Sequence, residues 1–597
     1  MSGGARTDET DGDSGSSAQS ATQQRRPTTP GQQDERWALD EHGVWRERRG
    51  SGGSRPARSR WKLGVAGRIA VAGAVAVALI LTAVLAFGRS TAPGFHPTAT
   101  KPALAAKQTA EAFLNAWQKG QIRKAADVTD HPAAAAAALT SYRDGLHLRT
   151  LHLTVTSATA QGKVAFTVAA IVGLAANPSV TATWSYASDL VAYTKQGGWW
   201  VNWNPALVAP NLTTGQKPVS VALAPGASEV ADAAGGSLQD SSDPGLHNIA
   251  AALMKSAPAG TPGLEVAFVG PGSTSAAGTA HTELLRQPVS GEVKTTIDPR
   301  VEAAAESAVQ AHAGSSMVVL QPSTGDILAV ANNDGGNDFA LTARVAPGST
   351  NKIITSTALF TTGLVSSPSQ PVECPPQIDA DGEVINNAGG ESEPAGTPFL
   401  TDFAASCNNA FDRWYASMSP QTLAQTAQKY YGLNQPWNIG VGSGVPYYTI
   451  PADAANAELA LELFGQGRLE TAPLAMASVA ATVDTGSFKQ PIVVPGQPQL
   501  RATPLPASVH QDLWQLMHAV TQPGGTAAGV FDGVGSPVYA KTGTADVSGQ
   551  GQPNSWMVAF DPTLNVAVGC LVLNAGYGAA VAGPEVASVL QLLQSGG

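Results

Sequence analysis

The sequence predicts a multidomain protein with one transmembrane helix, a small α+β domain, a reduced linking region and an α/β domain whose central antiparallel sheet is flanked by helices. Three observations support this fold class. The chain has 597 residues, which is too long for a single domain. An almost wholly apolar run over residues 69–87 has the length that a bilayer core requires. Two later blocks, residues 103–212 and 291–597, each combine a helical pattern with strand-like runs.

The N-terminal part divides into three segments. Residues 1–62 are polar and rich in Ser, Gly and charged side chains, so we expect a disordered tail. Residues 63–88 are predicted as the transmembrane helix, and residues 89–102 as a linker. Basic side chains cluster ahead of the apolar run, which predicts a single-pass protein with a cytoplasmic N-terminus and an exported bulk. A cleaved signal peptide and a buried core helix remain alternatives.

The block over residues 103–212 begins with apolar side chains at helical spacing, namely Ala110, Phe113, Leu114 and Trp117. Alternating segments near 151–156, 164–171 and 180–186 predict strands. The tryptophans that follow at 199–203 are interpreted as core residues. Residues 213–290 are rich in Gly, Ala, Ser and Pro, and only one helical stretch, 247–255, is predicted there.

The last block, residues 291–597, predicts an Ala-rich helix over 301–311 and a hairpin with strands at 316–321 and 327–332. Further strands are expected at 538–540, 555–560 and 566–573. A helix over about 584–594 ends the chain. A central sheet covered by helices follows from this order.

Composition excludes several function classes. The net charge is -10, from 35 basic and 45 acidic residues, and no concentrated basic stripe occurs away from the apolar segment, so no nucleic-acid partner is expected. Three cysteines make no disulfide framework. No pair of His or Cys has metal-ligand spacing and no phosphate-binding glycine loop is found, so we expect neither a metal nor a cofactor.

Ser349 carries the clearest chemical signal. A proline and a glycine precede it and an apolar run follows, which predicts Ser349 at or near the N-cap of a buried helix. Lys352 lies three residues on, on the same helix face. A neutral lysine there can take the serine proton, and the helix start favours a developing oxyanion. The pattern alone is weak, because Ser59-x-x-Lys62 matches it as well.

Two further motifs follow in order, Ser406-Cys407-Asn408 and Lys541-Thr542-Gly543-Thr544-Ala545. The order Ser-x-x-Lys, Ser-x-Asn, Lys-Thr-Gly resembles that of penicillin-binding proteins and serine β-lactamases. The flanking stretches, such as Gly465-Gln466-Gly467 and residues 554–560, look like the transpeptidase domain of class B penicillin-binding proteins. Residues 103–212 resemble the NTF2-like domain found in some of these proteins. Residues 213–290 lack the usual start of the pedestal, or dimerisation, domain and look reduced or diverged.

The resemblance implies a role for each motif residue. Ser349 attacks the substrate, Lys352 takes its proton because burial and the charge of Lys541 keep it neutral, Ser406 relays the proton, and Asn408 contacts the substrate amide or fixes Lys352. Backbone N–H groups of Ser349 and Thr544 would hold the oxyanion. The residues that would bind the substrate carboxylate, or let its backbone approach, are Lys541, Thr542, Gly543 and Thr544.

The implied activity is that of a D,D-transpeptidase acting outside the membrane on peptidoglycan stem peptides that end in D-Ala-D-Ala. β-Lactams would inhibit it covalently, and a membrane-embedded glycan polymerase is the expected partner. A D,D-carboxypeptidase, a β-lactamase and a non-catalytic β-lactam sensor or cell-division scaffold remain alternatives. Asn351 departs from the Phe of many relatives and is expected to face away from Ser349. Cys407 is interpreted as a small buried thiol, with a Cys374–Cys407 disulfide as the alternative.

Overall fold

The computed structural model describes residues 102–271, 273 and 282–595, together with a short antiparallel pair of strands, β1 (Trp37–Leu39) and β2 (Trp45–Glu47). The segment predicted to cross the membrane, 63–88, lies outside the described residues, as do most of the predicted tail and linker. Among the described helices, none combines the length and the apolar character that crossing a bilayer demands.

The first domain has three helices followed by a four-stranded antiparallel sheet, which is the order expected from the sequence. The helices are α1 (Pro102–Gln118), α2 (Ile122–Ala126) and α3 (Pro132–Gly145), and the strands, paired in chain order, are β3 (Thr150–Ala158), β4 (Lys163–Gly173), β5 (Thr181–Lys195) and β6 (Gly198–Asn202). Side chains of β4 alternate between buried and exposed, so one face covers the core. Trp117, Tyr142 and Trp184 form a chain of ring contacts there, with centroids 5.3 and 5.9 Å apart.

The region over 213–290 is a folded connector with a sheet that the sequence did not predict. Its elements are β7 (Lys217–Leu223), β8 (Glu229–Ala231), α4 (Pro244–Met254), β9 (Gly263–Val269), β10 (Thr282–Arg286) and the adjoining β11 (Glu292–Lys294). Strands β10, β9 and β7 form an antiparallel sheet, and β8 pairs with β11 in parallel. Leu264 and Phe268 of β9 belong to the core of the first domain, whereas Leu246 and Ile249 of α4 belong to that of the C-terminal domain. The connector is therefore divided between two cores.

The C-terminal domain starts at about residue 295 and contains ten helices and eleven strands among the described residues. Its helices are α5 (Pro299–Val309), α6 (Phe339–Thr342), α7 (Lys352–Thr362), α8 (Phe399–Ala405), α9 (Asn409–Asp412), α10 (Thr422–Tyr431), α11 (Ala457–Phe464), α12 (Pro473–Thr485), α13 (Ala507–Thr521) and α14 (Ala582–Ser595). Its strands are β12 (Ser315–Gln321), β13 (Asp326–Asn333), β14 (Gln377–Ala380), β15 (Glu383–Asn386), β16 (Pro436–Asn438), β17 (Gly442–Pro446), β18 (Tyr448–Thr449), β19 (Glu470–Thr471), β20 (Tyr539–Ala545), β21 (Asn554–Asp561) and β22 (Val566–Val572).

Five of these strands form the central antiparallel sheet, in the order β13-β12-β22-β21-β20. Every residue of β22 is buried, because helices cover both faces of the sheet. Successive side chains of a strand point to opposite faces: Gly569 lies against α12, and the thiol of Cys570 contacts Glu585 of α14. Strand β20 is at the edge, so its outer side is open to a partner that can add along the strand.

Candidate active site

Ser349 lies on a short 3-10 turn, Gly348–Asn351, that leads directly into α7. It is therefore just ahead of the helix, close to the predicted N-cap position, and Lys352 is the first residue of α7. The hydroxyl of Thr350 donates to the Pro347 carbonyl at 2.8 Å and closes the turn. Gly348 has a φ of +55°, and a Cβ there would come within 2.4 Å of the Thr544 carbonyl oxygen, so the turn packs directly against β20.

The Ser406-Cys407-Asn408 segment forms the turn between α8 and α9. Ser406 has a φ of +62°, a left-handed conformation that ends α8. The side-chain oxygen of Asn387 accepts hydrogen bonds from the backbone N–H groups of Asn408 and Asn409, each at 2.9 Å. Cys407 is joined to Cys374 by a disulfide. The interpretation of Cys407 as a free buried thiol is therefore wrong. The Cys374–Cys407 disulfide and the side-chain amide of Asn387 together fix the conformation of this turn.

Strand β20 carries Lys541, Thr542, Gly543 and Thr544 along the edge beside these two turns. A Cβ on Gly543 would lie 2.8 Å from the methyl group of Thr350, so this position closely abuts the Ser349 turn. The Thr542 hydroxyl is 2.7 Å from that of Thr526. This contact places the loop that contains Thr526 beside the site.

Hydrogen bonds join the three motifs into one cluster. The Lys352 amine lies 3.0 Å from Ser349 Oγ, 2.7 Å from Asn408 Oδ1 and 2.6 Å from the Ser406 carbonyl oxygen. Lys541 Nζ donates to Ser406 Oγ at 2.8 Å, and Lys352 Nζ is 3.4 Å from the same oxygen. The Ser406 hydroxyl thus lies between the two amines, and stretches almost 200 residues apart meet at one point.

Comparison with known proteins decides the family. A family model described as the penicillin binding protein transpeptidase domain matches residues 315–591, and one described as the NTF2-like N-terminal transpeptidase domain matches residues 105–216. A relative from Mycolicibacterium smegmatis named Peptidoglycan D,D-transpeptidase PbpA is 30% identical over 351 residues, which are 49% of this chain and 69% of the relative. The chain belongs to the class B penicillin-binding proteins with an NTF2-like N-terminal domain.

Two other similarities each cover about half of the chain. The protein of the same name from Mycobacterium tuberculosis is 28% identical over 374 residues, 52% of this chain and 74% of the relative. The solved structure of penicillin-binding protein A from M. tuberculosis as a ceftriaxone acyl-enzyme complex is 26% identical, has a TM-score of 0.46 and covers 52% of this chain and 81% of that one.

The two lysines of the site differ in what lowers their pKa values. Both side chains are completely buried. Burial lowers the pKa of Lys352 well below its ordinary value, and the nearby charge of Lys541 lowers it further, whereas Asp412 and Glu391 act in the opposite direction. Burial alone lowers the pKa of Lys541 to about 7. These are the two causes, burial and a second cation, that the sequence-based argument proposed for Lys352.

Three residues near the site were missed from the sequence. Asn387 follows the β14–β15 hairpin, and Thr526 lies in the loop after α13. Asp412, at the end of α9, is buried with neither carboxylate oxygen hydrogen-bonded within the described part of the chain, and burial raises its pKa to about 8. Nothing in the local pattern marks these residues, because only the tertiary fold brings them to the cluster.

Two other groups of residues do not add to the site. Asp484-Thr485-Gly486 contains the end of α12 and contacts His510. Within the described residues, Cys374, Asp402 and Cys407 are grouped closely enough to hold a metal ion, but the two sulfur atoms are bonded to each other. A single carboxylate remains, which is too few ligands for a metal site.

Proposed function

We propose that this chain is a serine D,D-transpeptidase that cross-links peptidoglycan stem peptides through an acyl-enzyme on Ser349, and that β-lactams inhibit it by acylating the same oxygen. One observation carries the proposal: the continuous contacts from Ser349 Oγ through Lys352 Nζ and Ser406 Oγ to Lys541 Nζ. They bring together a nucleophile, a base, a proton relay and a cation. The names of the M. smegmatis and M. tuberculosis relatives support this activity.

In the first half-reaction, Ser349 Oγ attacks the carbonyl carbon of the penultimate D-Ala while Lys352 takes the hydroxyl proton. The new bond is an ester, and the bond that breaks is the amide to the terminal D-Ala. The proton passes from Lys352 through Ser406 to the departing amine. Backbone N–H groups of Ser349 and Thr544 stabilise the oxyanion, which lies where the Ser349 turn packs on β20.

In the second half-reaction, an amine from another stem peptide attacks the ester, and the resulting amide is the cross-link. Lys352 takes a proton from the attacking amine and passes it to Ser349 Oγ as the ester bond breaks. The donor peptide lies along the open edge of β20, where its terminal carboxylate meets Lys541, Thr542 and Thr544. Gly543 leaves room for the peptide backbone next to the strand.

We place this chemistry outside the cell membrane. Residues 63–88 would anchor the chain with its N-terminus in the cytoplasm, and a membrane-embedded glycan polymerase would supply the strands to be cross-linked. The Cys374–Cys407 disulfide supports an exported domain, because disulfides persist in oxidising compartments and are rare in the cytosol.

Covalent labelling with a fluorescent penicillin tests the proposal. We expect the wild type to be tagged, the Ser349→Ala variant to be untagged, and the tagged peptide to contain Ser349. Ser356→Ala is the matched control, because Ser356 is a buried serine on the same helix as Lys352 and should leave tagging intact. Tagging that persists in Ser349→Ala would contradict the assignment of the nucleophile.

The lifetime of the acyl-enzyme separates the related activities. A transpeptidase should keep the penicilloyl ester for hours and should transfer a peptidyl thioester donor to a D-amino acid in preference to water. Rapid release of the label would favour a β-lactamase, and hydrolysis without transfer would favour a D,D-carboxypeptidase. If Ser349→Ala complements a deletion strain fully, a scaffold role would replace the catalytic one.

A further inference from the structure

Asn351 lies between Ser349 and Lys352 in sequence but faces the opposite way, into the core. Its side chain is completely buried. The amide nitrogen donates to the Glu462 carbonyl oxygen at 2.8 Å, and the amide oxygen accepts a hydrogen bond from the Tyr448 hydroxyl at 2.6 Å. Both partners are remote in sequence, on α11 and β18. Asn351 therefore ties the turn that carries the nucleophile to two other elements.

The end of α11 and the loop after it make further hydrogen bonds with α7 and with the turn that precedes α7. The Thr355 hydroxyl, one turn beyond Asn351, donates to the Leu463 carbonyl oxygen at 2.7 Å. The backbone N–H of Gly348 donates to the Gly465 carbonyl oxygen at 2.9 Å. Gly465 has a φ of +103°, and a Cβ there would lie 1.7 Å from the Gly348 carbonyl oxygen. The loop after α11 is thus in direct backbone contact with the residue before Ser349.

These contacts supply what a packed aromatic side chain at position 351 cannot supply, namely two directional hydrogen bonds to fixed partners. A buried amide requires partners for both its oxygen and its nitrogen, so it tolerates only one rotation of the turn. The positions of Ser349 and Lys352 follow from that rotation, because both are within three residues of Asn351. The Ser349–Lys352 contact is then set from the side of the turn that faces away from substrate.

We propose that Asn351 is a positioning residue for the acylation of Ser349, and that it acts through its hydrogen bonds to Tyr448 and Glu462. The proposal rests on the function proposed above. It predicts a slower chemical step with unchanged initial binding when the Tyr448 bond is removed, since the carboxylate-binding strand β20 makes no contact with Tyr448 among the hydrogen bonds of the described residues. Small misplacements of a nucleophile cost rate far more than affinity.

The chain offers a matched pair of variants, Tyr448→Phe and Tyr431→Phe. Both tyrosines are completely buried, and each pairs its hydroxyl with a polar side chain of α7 or of the turn that leads into it: Tyr448 with Asn351 at 2.6 Å and Tyr431 with Thr357 at 2.7 Å. Each variant deletes one buried hydroxyl without changing the ring. The difference is position, because Asn351 adjoins the nucleophile and Thr357 lies two turns further along the helix.

The experiment measures the acylation rate constant kinact and the initial binding constant KI for a chromogenic cephalosporin, together with Tm. We expect both tyrosine variants to lower Tm by a similar amount. Tyr448→Phe should in addition lower kinact about tenfold with KI unchanged, whereas Tyr431→Phe should keep the wild-type kinact. Asn351→Leu should lower kinact at least as much, and Asn351→Asp, which keeps the acceptor oxygen for Tyr448, should lower kinact less than Asn351→Leu does.

Two results would overturn the inference while leaving the proposed function intact. One is a wild-type kinact in Tyr448→Phe, and the other is an equal loss of kinact in both tyrosine variants, which would indicate a general structural effect. Failure of the wild type itself to acylate at Ser349 would instead contradict the proposed function.

Discussion

Binding of a carboxylate ligand should weaken as the pH rises above 7, because the cation that receives it titrates there. Lys541 is completely buried, and burial lowers its pKa to about 7. Burial disfavours the charged form of a lysine, so the free enzyme loses this charge as the pH passes through 7. The ligand carboxylate stays ionised throughout. Only the charged form of Lys541 offers it a counter-ion, so binding and proton uptake are linked.

The magnitude follows from the fraction of Lys541 that carries the charge. With a pKa of about 7, that fraction is about one half at pH 7, about one in eleven at pH 8 and about one in a hundred at pH 9. The apparent Kd should therefore rise by up to about fivefold from pH 7 to 8 and by up to about tenfold from 8 to 9. The rise should level off where the bound complex titrates, because a neighbouring anion raises the pKa of the lysine by about 1 to 3 units.

The assay uses the Ser349→Ala variant, so that no acyl bond forms and Kd is measured at equilibrium from pH 6.5 to 9. This substitution leaves the contacts of Lys541 in place, because its amine bonds to Ser406 Oγ and the Thr542 carbonyl oxygen. A penicillin is compared with its methyl ester, which lacks the anion. Adding Lys541→Gln provides the second control, since binding should then be weak and independent of pH.

Two outcomes would refute the reasoning. If the Kd of the penicillin is the same at pH 7 and pH 9, Lys541 does not titrate in this range or does not receive the carboxylate. If the methyl ester follows the same pH dependence as the acid, the titrating group acts on binding by another route. Calorimetry in buffers of different ionisation enthalpy gives an independent check, because proton uptake on binding should be close to zero at pH 6 and substantial at pH 8.

Three further predictions address the disulfide, the proton relay and the loop behind Ser349. Replacing Cys374 and Cys407 by alanine should lower the free energy of unfolding by about 4 kcal/mol in urea, from the closure entropy of a 33-residue separation, and an unchanged midpoint would contradict this. Ser406→Ala should lower kinact on the order of 100-fold, since a proton relay is lost, whereas a loss confined to KI would assign Ser406 to binding. Gly465→Ala should abolish acylation, because its Cβ would collide with the Gly348 carbonyl oxygen next to Ser349. Gly496→Ala is the control: Gly496 is also at positive φ but has open space around it, so the substitution should cost only about 1 to 2 kcal/mol of stability and keep the acylation rate.

The sheet of the C-terminal domain was predictable because its strands are continuous apolar runs. Segments expected at 316–321, 327–332, 555–560 and 566–573 all coincide with observed strands within one or two residues. Strands buried on both faces need no alternation, and helices on both sides satisfy that condition here. The three motifs were likewise visible from their order alone, although only the fold shows the contacts between them.

The connector could not be predicted for the opposite reason. Strands β7 and β9 pair antiparallel across about forty residues of intervening chain, so no hairpin turn marks them. Their region is rich in glycine, alanine, serine and proline, and this composition predicts loops rather than strands. What stabilises β9 is the core of another domain, through Leu264, Val266 and Phe268. Such stabilisation has no local signature.

The sequence left the Cys374–Cys407 disulfide only as an alternative and gave no sign of the role of Asn387, since both depend on how two loops meet. A separation of 33 residues does not specify a cysteine pair, and Asn387 is only the second of two adjacent asparagines at the end of the β14–β15 hairpin. In the fold, the side-chain oxygen of Asn387 accepts hydrogen bonds from the backbone N–H groups of Asn408 and Asn409, the two residues after the disulfide-bonded Cys407. The conformation of the Ser406 turn is therefore determined by residues that carry no chemistry of their own.

Lys352 and Lys541 are the same residue type in similar burial, and their different contacts explain why one can act as a base and the other as a counter-ion. Lys352 contacts Asn408 Oδ1 and the Ser406 carbonyl oxygen, which can only accept. A neutral amine has two N–H groups and one lone pair, so these contacts use both donors and leave the lone pair for the Ser349 hydroxyl, 3.0 Å away. Lys541 has no carboxylate partner among the residues that the structure describes. Under the proposed function, the anion that it lacks is the acid end of the substrate. Recognition of the C-terminal carboxylate and activation of the serine would then belong to different amines, and both amines contact the Ser406 hydroxyl.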